Sequence, residues 1–281
     1  MTRILITGAS GDLGRPLSAL ASRRFDTISL YHQKTGIGGG TPAQADLTNR
    51  DTTIKIVTER RPDIVIHAAA SDRSRNMAET NRNSAAHILE ASREVGARLI
   101  ALSSDMVFDG ANAPYKEDDP VSPRSIYGQV KAENEKLFRS YQQCLVIRTS
   151  LIYDFATDNR QMAWLLEMIQ AGKSIPLFVD EIRQPVWAWN LAEAILEIAL
   201  GQMTGLLNVA GPQALNRWEY GSTLIRYAGH DPELVAHRAF AAETLPDRPR
   251  NCALDLSKAS SAFRTRMLTM GEAATARNLP Y

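Results

Sequence analysis

"RILITGASGDLGRPLSALA", Arg3 to Ala21, carries the first decision about the fold. Its opening has strand length and an apolar core at Ile4, Leu5 and Ile6. Gly8, Gly11 and Gly14 follow, and then Leu13, Leu17, Leu20 and Ala21 recur at helical spacing. A strand that runs through a glycine turn into a helix is how dinucleotide-binding sheets begin. The glycines permit the tight turn and let backbone amides at the helix N-terminus approach a pyrophosphate. The spacing is one residue wider than the usual fingerprint, and a plain set of turn glycines is the competing reading.

The pattern repeats outward from this stretch. "TISLYH", "PDIVIHAAA", "RLIALSS" and "QCLVIRTSLIY" read as further strands, apolar almost throughout. "TNRDTTIKIVTERR", "ETNRNSAAHILEASREVG" and "SIYGQVKAENEKLFRSY" read as helices, the second capped at Gly96. "TGIGGGTPAQ" reads as a loop. Strands buried on both faces and alternating with helices imply a parallel sheet covered on both sides. The expected fold class is α/β, a Rossmann-type doubly wound parallel sheet, with ligands at the C-terminal strand ends. After Tyr153 the alternation weakens. Residues 1–153 are expected to form the NAD(P)-binding domain. Residues 154–281 are expected to form mostly a smaller substrate lobe, with pieces such as "GLLNVAG" free to return to the sheet.

The 281 residues are 44% hydrophobic and 22% charged, ordinary for a globular protein with a sizeable core. A formal net charge of +1 makes no case for nucleic acid or a membrane surface as partner. Two cysteines, Cys144 and Cys252, suit neither a zinc site nor a disulfide framework. The apolar run before Gly8 is too short for a signal peptide, and no stretch reaches membrane-spanning length. A cytoplasmic protein acting on a small molecule is expected, with a homodimer allowed.

The second strand ends in "SLYHQK", without the acid that binds a ribose 2′-hydroxyl in NAD-specific sites. His32 and Lys34 offer positive charge for a 2′-phosphate, which favours NADP(H) over NAD(H); an exposed polar loop is the alternative. Asp46 suits either the adenine side or a helix cap. Tyr127 and Lys131, four apart in "SIYGQVK", share a helix face. A tyrosine with its ordinary pKa of about 10 is a poor acid–base group at neutral pH, and a nearby ammonium corrects this by favouring phenolate. The spacing alone is common. It gains meaning from order: glycine turn, then "SSDMVFDG" at a strand end, then this pair.

Taken together, "TGASGDLG", "RPDIVIHAAA", "SSDMVFDG", "PRSIYGQVK", "VIRTSLIY" and "RPRNCALDLSK" resemble the extended short-chain dehydrogenase/reductase superfamily. Within it, the resemblance is to the dTDP-4-dehydrorhamnose reductase family and runs over nearly the whole chain. It implies an NADP(H)-dependent reductase of a keto nucleotide sugar. Gly8, Gly11 and Gly14, with Ser10, Asp12 and Leu13 of the same turn, would hold the cofactor pyrophosphate. Asp46 and Leu47 would lie by the adenine, and Ala68, Ala69 and Ala70 would line the groove. Ser104 takes the place of the catalytic hydroxyl, Tyr127 of the proton donor, and Lys131 of the group that holds the nicotinamide ribose. Asn81 matches the asparagine behind the site. Asp105, Met106, Arg183 and Arg248 would face substrate, the arginines suiting a diphosphate. Arg250 is a similar candidate, and Trp187, Trp189 and Trp218 read as packing residues.

Three departures bear on the substrate. Met106 stands where the family has tyrosine. The loop "SDRSRNMAE" is shorter than in the rhamnose reductases. The family's "DQxGxPT" becomes "DEIRQPV", Asp180 to Val186. No acidic metal cluster is evident. A resemblance to the regulatory β subunit of methionine adenosyltransferase, which includes "RPRN", keeps open a cofactor-binding protein without turnover. An epimerase or dehydratase is a third reading.

Overall fold

Seven parallel strands form the central sheet of the computed structural model, which describes residues 1–33, 35–70, 75–245 and 247–276. β1 (Arg3–Thr7), β2 (Asp26–Tyr31), β3 (Thr41–Gln44), β4 (Ile64–His67), β5 (Arg98–Ser104) and β6 (Cys144–Thr149) come from the first half of the chain. Helices α1 (Gly14–Ala21), α2 (Arg50–Arg60), α3 (Met77–Val95) and α4 (Ile126–Phe138) connect them. The chain then builds a lobe from β7 (Ile152–Tyr153), α5 (Arg160–Gln170), β8 (Ile175–Phe178), β9 (Ile182–Arg183) and β10 (Val186–Trp187). It crosses back through α6 (Ala188–Ala199) and β11 (Gly205–Asn208), and returns to the lobe with β12 (Leu215–Asn216), α7 (Arg217–Tyr227) and β13 (Ala236–Ala239).

The sheet order is β11-β6-β5-β4-β1-β2-β3, so the strand order reverses at β1, where a doubly wound sheet opens its ligand crevice. One apolar cluster fills the face under α1 and α6, with Leu13, Leu17, Leu20 and Ala21 against Ile195 and Leu207. A second fills the other face beneath α2, α3 and α4. A third, around Tyr153, Trp187 and Tyr220, belongs to the lobe. Among the described residues no helix is long and apolar enough to cross a membrane.

Two expectations need correction. The supposed loop Thr35–Gln44 contains a strand, since Thr41–Gln44 pairs with β2 in register Ser29↔Pro42. Pro42 is tolerated because β3 is the sheet edge, where one side of the strand needs no partner. "QCLVIRTSLIY" is two strands: β6 stops at Thr149, and Ile152–Tyr153 pairs with β10 in the lobe. The helix end at Gly96 is as expected, with φ +69°.

Gly14 permits the first turn. A side-chain carbon there would overlap the carbonyl oxygen of Gly8 and the Ala9 backbone. Gly14→Ala is expected to cost about 1–3 kcal/mol, as overpacking does. Gly36→Ala, which meets open space, should be near neutral. Urea unfolding of the two variants checks this.

Candidate active site

The site grows from the start of α4. Ser125 caps the helix, its Oγ accepting from Gly128 N at 3.1 Å. Any side chain at Gly128 would overlap the Met106 carbonyl oxygen. Only glycine therefore lets α4 lie against the short turn Asp105–Val107 that ends β5. This close approach sets the first turn of α4, which carries Tyr127, against the turn that follows Ser104. One turn along, Lys131 is buried and its Nζ donates to Leu102 O at 2.9 Å. The same Nζ lies 5.8 Å from the centre of the Tyr127 ring. Burial lowers the Lys131 pKa to about 8, with Glu135 opposing the shift. Asn81, buried on α3, accepts at its carbonyl from Asn134 Nδ2 at 3.2 Å, which ties α3 to α4 behind Lys131.

A buried ion pair stands behind this group. Arg148 donates to Glu135 from Nε at 3.0 Å and from Nη2 at 2.8 Å. Ser103 Oγ adds a third bond to Glu135 at 2.5 Å. Neither partner was singled out from the sequence. The available signals were an arginine inside the apolar run "CLVIRTS" and a glutamate between the inward-facing Val130 and Phe138.

Ser104 sits between two partners: Met106 N donates to its Oγ at 3.2 Å, and its Oγ faces Asp105 Oδ1 at 3.2 Å. Asp105 is buried, accepts from Ser150 Oγ at 2.6 Å, and lies 3.9 Å from Arg183 Nε. Burial raises its pKa, while Arg183 and the two hydroxyls oppose the rise. Arg183 is only 2% exposed. Its Nη1 donates to Ile182 O, and its Nη2 to Pro249 O and Met106 Sδ. Met106 and Arg183, two of the departures from the family pattern, are thus in contact. Arg248 approaches Glu181 Oε2 at 2.8 Å, and Arg250 lies 3.9 Å from Asp180. The indoles of Trp187 and Trp189 both donate to Asp154, and Trp218 stacks under Arg238, so all three pack within the lobe. Asp109, at the turn with Gly110, accepts from the Tyr115 hydroxyl.

At the crevice, Gly8 has φ +69°, and a side-chain carbon there would lie 2.8 Å from the Ala69 backbone. Gly11 is exposed at the lip, and Leu13 is buried beneath it. Bare backbone at the turn and small residues Ala68–Ala70 opposite leave a cradle that fits a dinucleotide. Thr7 Oγ1 accepts from Ala69 N at 3.2 Å and contacts His67 Nδ1 at 2.9 Å. Burial, with Lys131 nearby, pushes the His67 pKa down to about 3, so this imidazole is neutral. Asp12 pairs with the start of α5 through Arg160, at 3.8 Å. At the far end, His32 Nε2 lies 3.8 Å from Asp46 Oδ2. Asp46 accepts from both the amide and the hydroxyl of Thr48, which lowers its pKa. The Leu47 carbonyl meets His87 at 2.9 Å. Lys34 and residues 71–74 of the shortened loop lie outside the described residues. A broad depression at the opposite, N-terminal edge of the sheet, by Asp63, Arg98 and Leu200, carries no comparable constellation.

The sequence matches the RmlD substrate binding domain over residues 1–276. The chain belongs to this family. A dTDP-4-dehydrorhamnose reductase of Streptomyces griseus is 31% identical over 92% of this chain and 88% of its own. A solved structure described as a hypothetical dTDP-4-dehydrorhamnose reductase of Sulfolobus tokodaii is 28% identical, with TM-score 0.81 over 96% of this chain and 98% of its own. The fold is also that of the Bacillus anthracis dTDP-4-dehydrorhamnose reductase solved in complex with NADP, 24% identical with TM-score 0.82 over 98% of each chain.

Breaking the buried pair tests how α4 is held. Arg148→Met is expected to lose about 3–5 kcal/mol by stranding Glu135. Glu135→Leu combined with Arg148→Met should recover part of that loss. Denaturant midpoints of the single and double variants decide it.

Proposed function

We propose that this RmlD-family chain is an NADP(H)-dependent reductase of a keto nucleotide sugar. The observation that carries the reading is the Lys131 ammonium, hooked to the Leu102 carbonyl beside the Tyr127 ring. A bound reduced nicotinamide supplies the hydride for a ketone carbon. Tyr127 delivers the proton to the ketone oxygen as negative charge develops there. Lys131 stabilises the resulting phenolate, and its remaining N–H donors are free to hold a ribose hydroxyl. Ser104 orients the ketone oxygen, and Asp105 fixes the Ser104 rotamer. Asn81 stands behind α4, its main-chain carbonyl accepting from Asn134.

The preference for NADP(H) rests on the end of β2. The strand's own last residues carry no acid, His32 is exposed, and the Asp46 carboxylate that approaches His32 through Oδ2 has its Oδ1 held by Thr48. The diphosphate role of Arg183 and Arg248 is carried from the family resemblance. It is supported by their convergence on Glu181 below Met106.

Tyr127→Phe is expected to lower kcat about 10²–10⁴-fold, the range for a lost general acid, and to leave NADPH affinity within a small factor. Stopped-flow turnover and fluorescence titration separate the two; full activity in this variant would sink the mechanism. Lys131 is cationic below about pH 8 in the free protein. The ammonium is therefore lost as pH rises, and kcat/KM should fall above about pH 8. His32→Glu is expected to shift the NADPH/NADH ratio of kcat/KM towards NADH by about tenfold, the size of one charge-assisted hydrogen bond; an unchanged ratio removes His32 from the cofactor site.

A further inference from the structure

Glu181 is fully buried, and no catalytic role uses it. Two guanidinium groups lie against it, and a third is close enough to feel its charge. Arg183 Nη2 lies 3.4 Å from Oε1, and Arg248 Nε lies 2.8 Å from Oε2. Arg217, at the start of α7, donates its backbone N–H to Glu181 O at 3.0 Å, and its guanidinium feels the charges of Glu181, Arg183 and Arg248. These contacts are close but badly aligned. Among the described residues, neither Glu181 oxygen has a hydrogen-bond partner, and the same holds for Arg248 Nε and Arg217 Nη1. Buried charges without aligned hydrogen bonds are costly, so they mark a cluster built for something other than its own stability. Arg217 packs its guanidinium 5.1 Å from the Tyr220 ring centre and lines a small pocket with Gln161, Trp164 and Gly221. Arg217 is thus the member of the cluster that borders a pocket of the lobe. Even with Asp105 ionised beside Arg183, three guanidinium groups face two carboxylates. An anion is what the remaining positive charge and the unused N–H groups accept.

We propose that Glu181 is an internal counter-ion that holds Arg183, Arg217 and Arg248 in the absence of substrate and yields them to the substrate's diphosphate, with Arg217 as a further phosphate ligand. This rests on the nucleotide-sugar reading above. Glu181 is a positioning residue in this scheme, because it acts through the arginines. Its carboxylate competes with the phosphates for the same donors, so its neutralisation strengthens binding. A purely structural carboxylate has the opposite sign.

The test is calorimetric binding of dTDP and UDP to the full chain with NADP present. Glu181→Gln is expected to tighten the Kd by about threefold or more, and to lower KM for the keto sugar without raising kcat. Arg217→Met is expected to weaken binding by about tenfold, the loss of one charge-assisted hydrogen bond. Arg217→Lys should stay between wild type and Arg217→Met. Weaker or unchanged binding in Glu181→Gln overturns the counter-ion, and wild-type affinity in Arg217→Met removes that ligand. If Glu181→Gln does not fold, thermal melts of the Arg217 pair with added pyrophosphate decide. Stabilisation that survives in the lysine but not the methionine variant supports the site, and equal stabilisation in both overturns it. Nucleotide binding with these signs but no ketone reduction would leave the anion site standing and remove the reductase. Reduction with an insensitive Glu181 would do the reverse.

Discussion

The Glu135–Arg148 pair holds α4 in place. Two charges, each 2–6% exposed, meet in bidentate geometry between α4 and β6. Removing both from water is expensive, and the attraction is recovered only in good alignment. The pair therefore fixes how α4 is rotated and how far it slides along the sheet. One turn upstream, Lys131 hooks onto β5, and one further turn places the Tyr127 ring beside its ammonium. Phe108 stacks between Tyr115 and the Arg148 guanidinium, so the segment after β5 rests on the same arginine.

A second polar layer joins the sheet edge to the lobe. Asp105 gathers Ser104 from β5, Ser150 from beyond β6 and Arg183 from β9. Ser150 in turn accepts from the Gln184 amide, and Gln184 Oε1 accepts from Leu254 N. The "RPRN" stretch closes the layer: Ile182 N donates to Arg250 O, and Asn251 N to Gly110 O. The Ser104 hydroxyl and Arg183 therefore share one polar frame. "DEIRQPV" meets Met106 in that frame through Arg183.

Local pattern made much of this legible. Apolar runs with no polar alternation announced a sheet buried on both faces, and the glycine turn announced where its crevice opens. Tyr127 and Lys131 were legible because helical spacing is a local property. β3 was missed because an edge strand needs neither alternation nor strong propensity; its partner β2 supplies the order. The break between β6 and β7 was missed because both halves are equally apolar, and only the lobe's β10 decides where the second half pairs. The burial of Arg183, expected only to face a diphosphate, was not legible, because its neighbours Asp105 and Pro249 come from distant parts of the chain.

By itself, the sequence determined the α/β class, the order of strand, glycine turn and helix, and the pairing of a tyrosine with a lysine on one helix face. These follow from hydrophobic periodicity and backbone sterics, which act over a few residues. The tertiary structure alone decided that Lys131 is dry and Asp105 enclosed, and that two arginines lie against a single buried glutamate. Those properties depend on the removal of water and on charges brought together from across the chain, and neither is written in any local stretch.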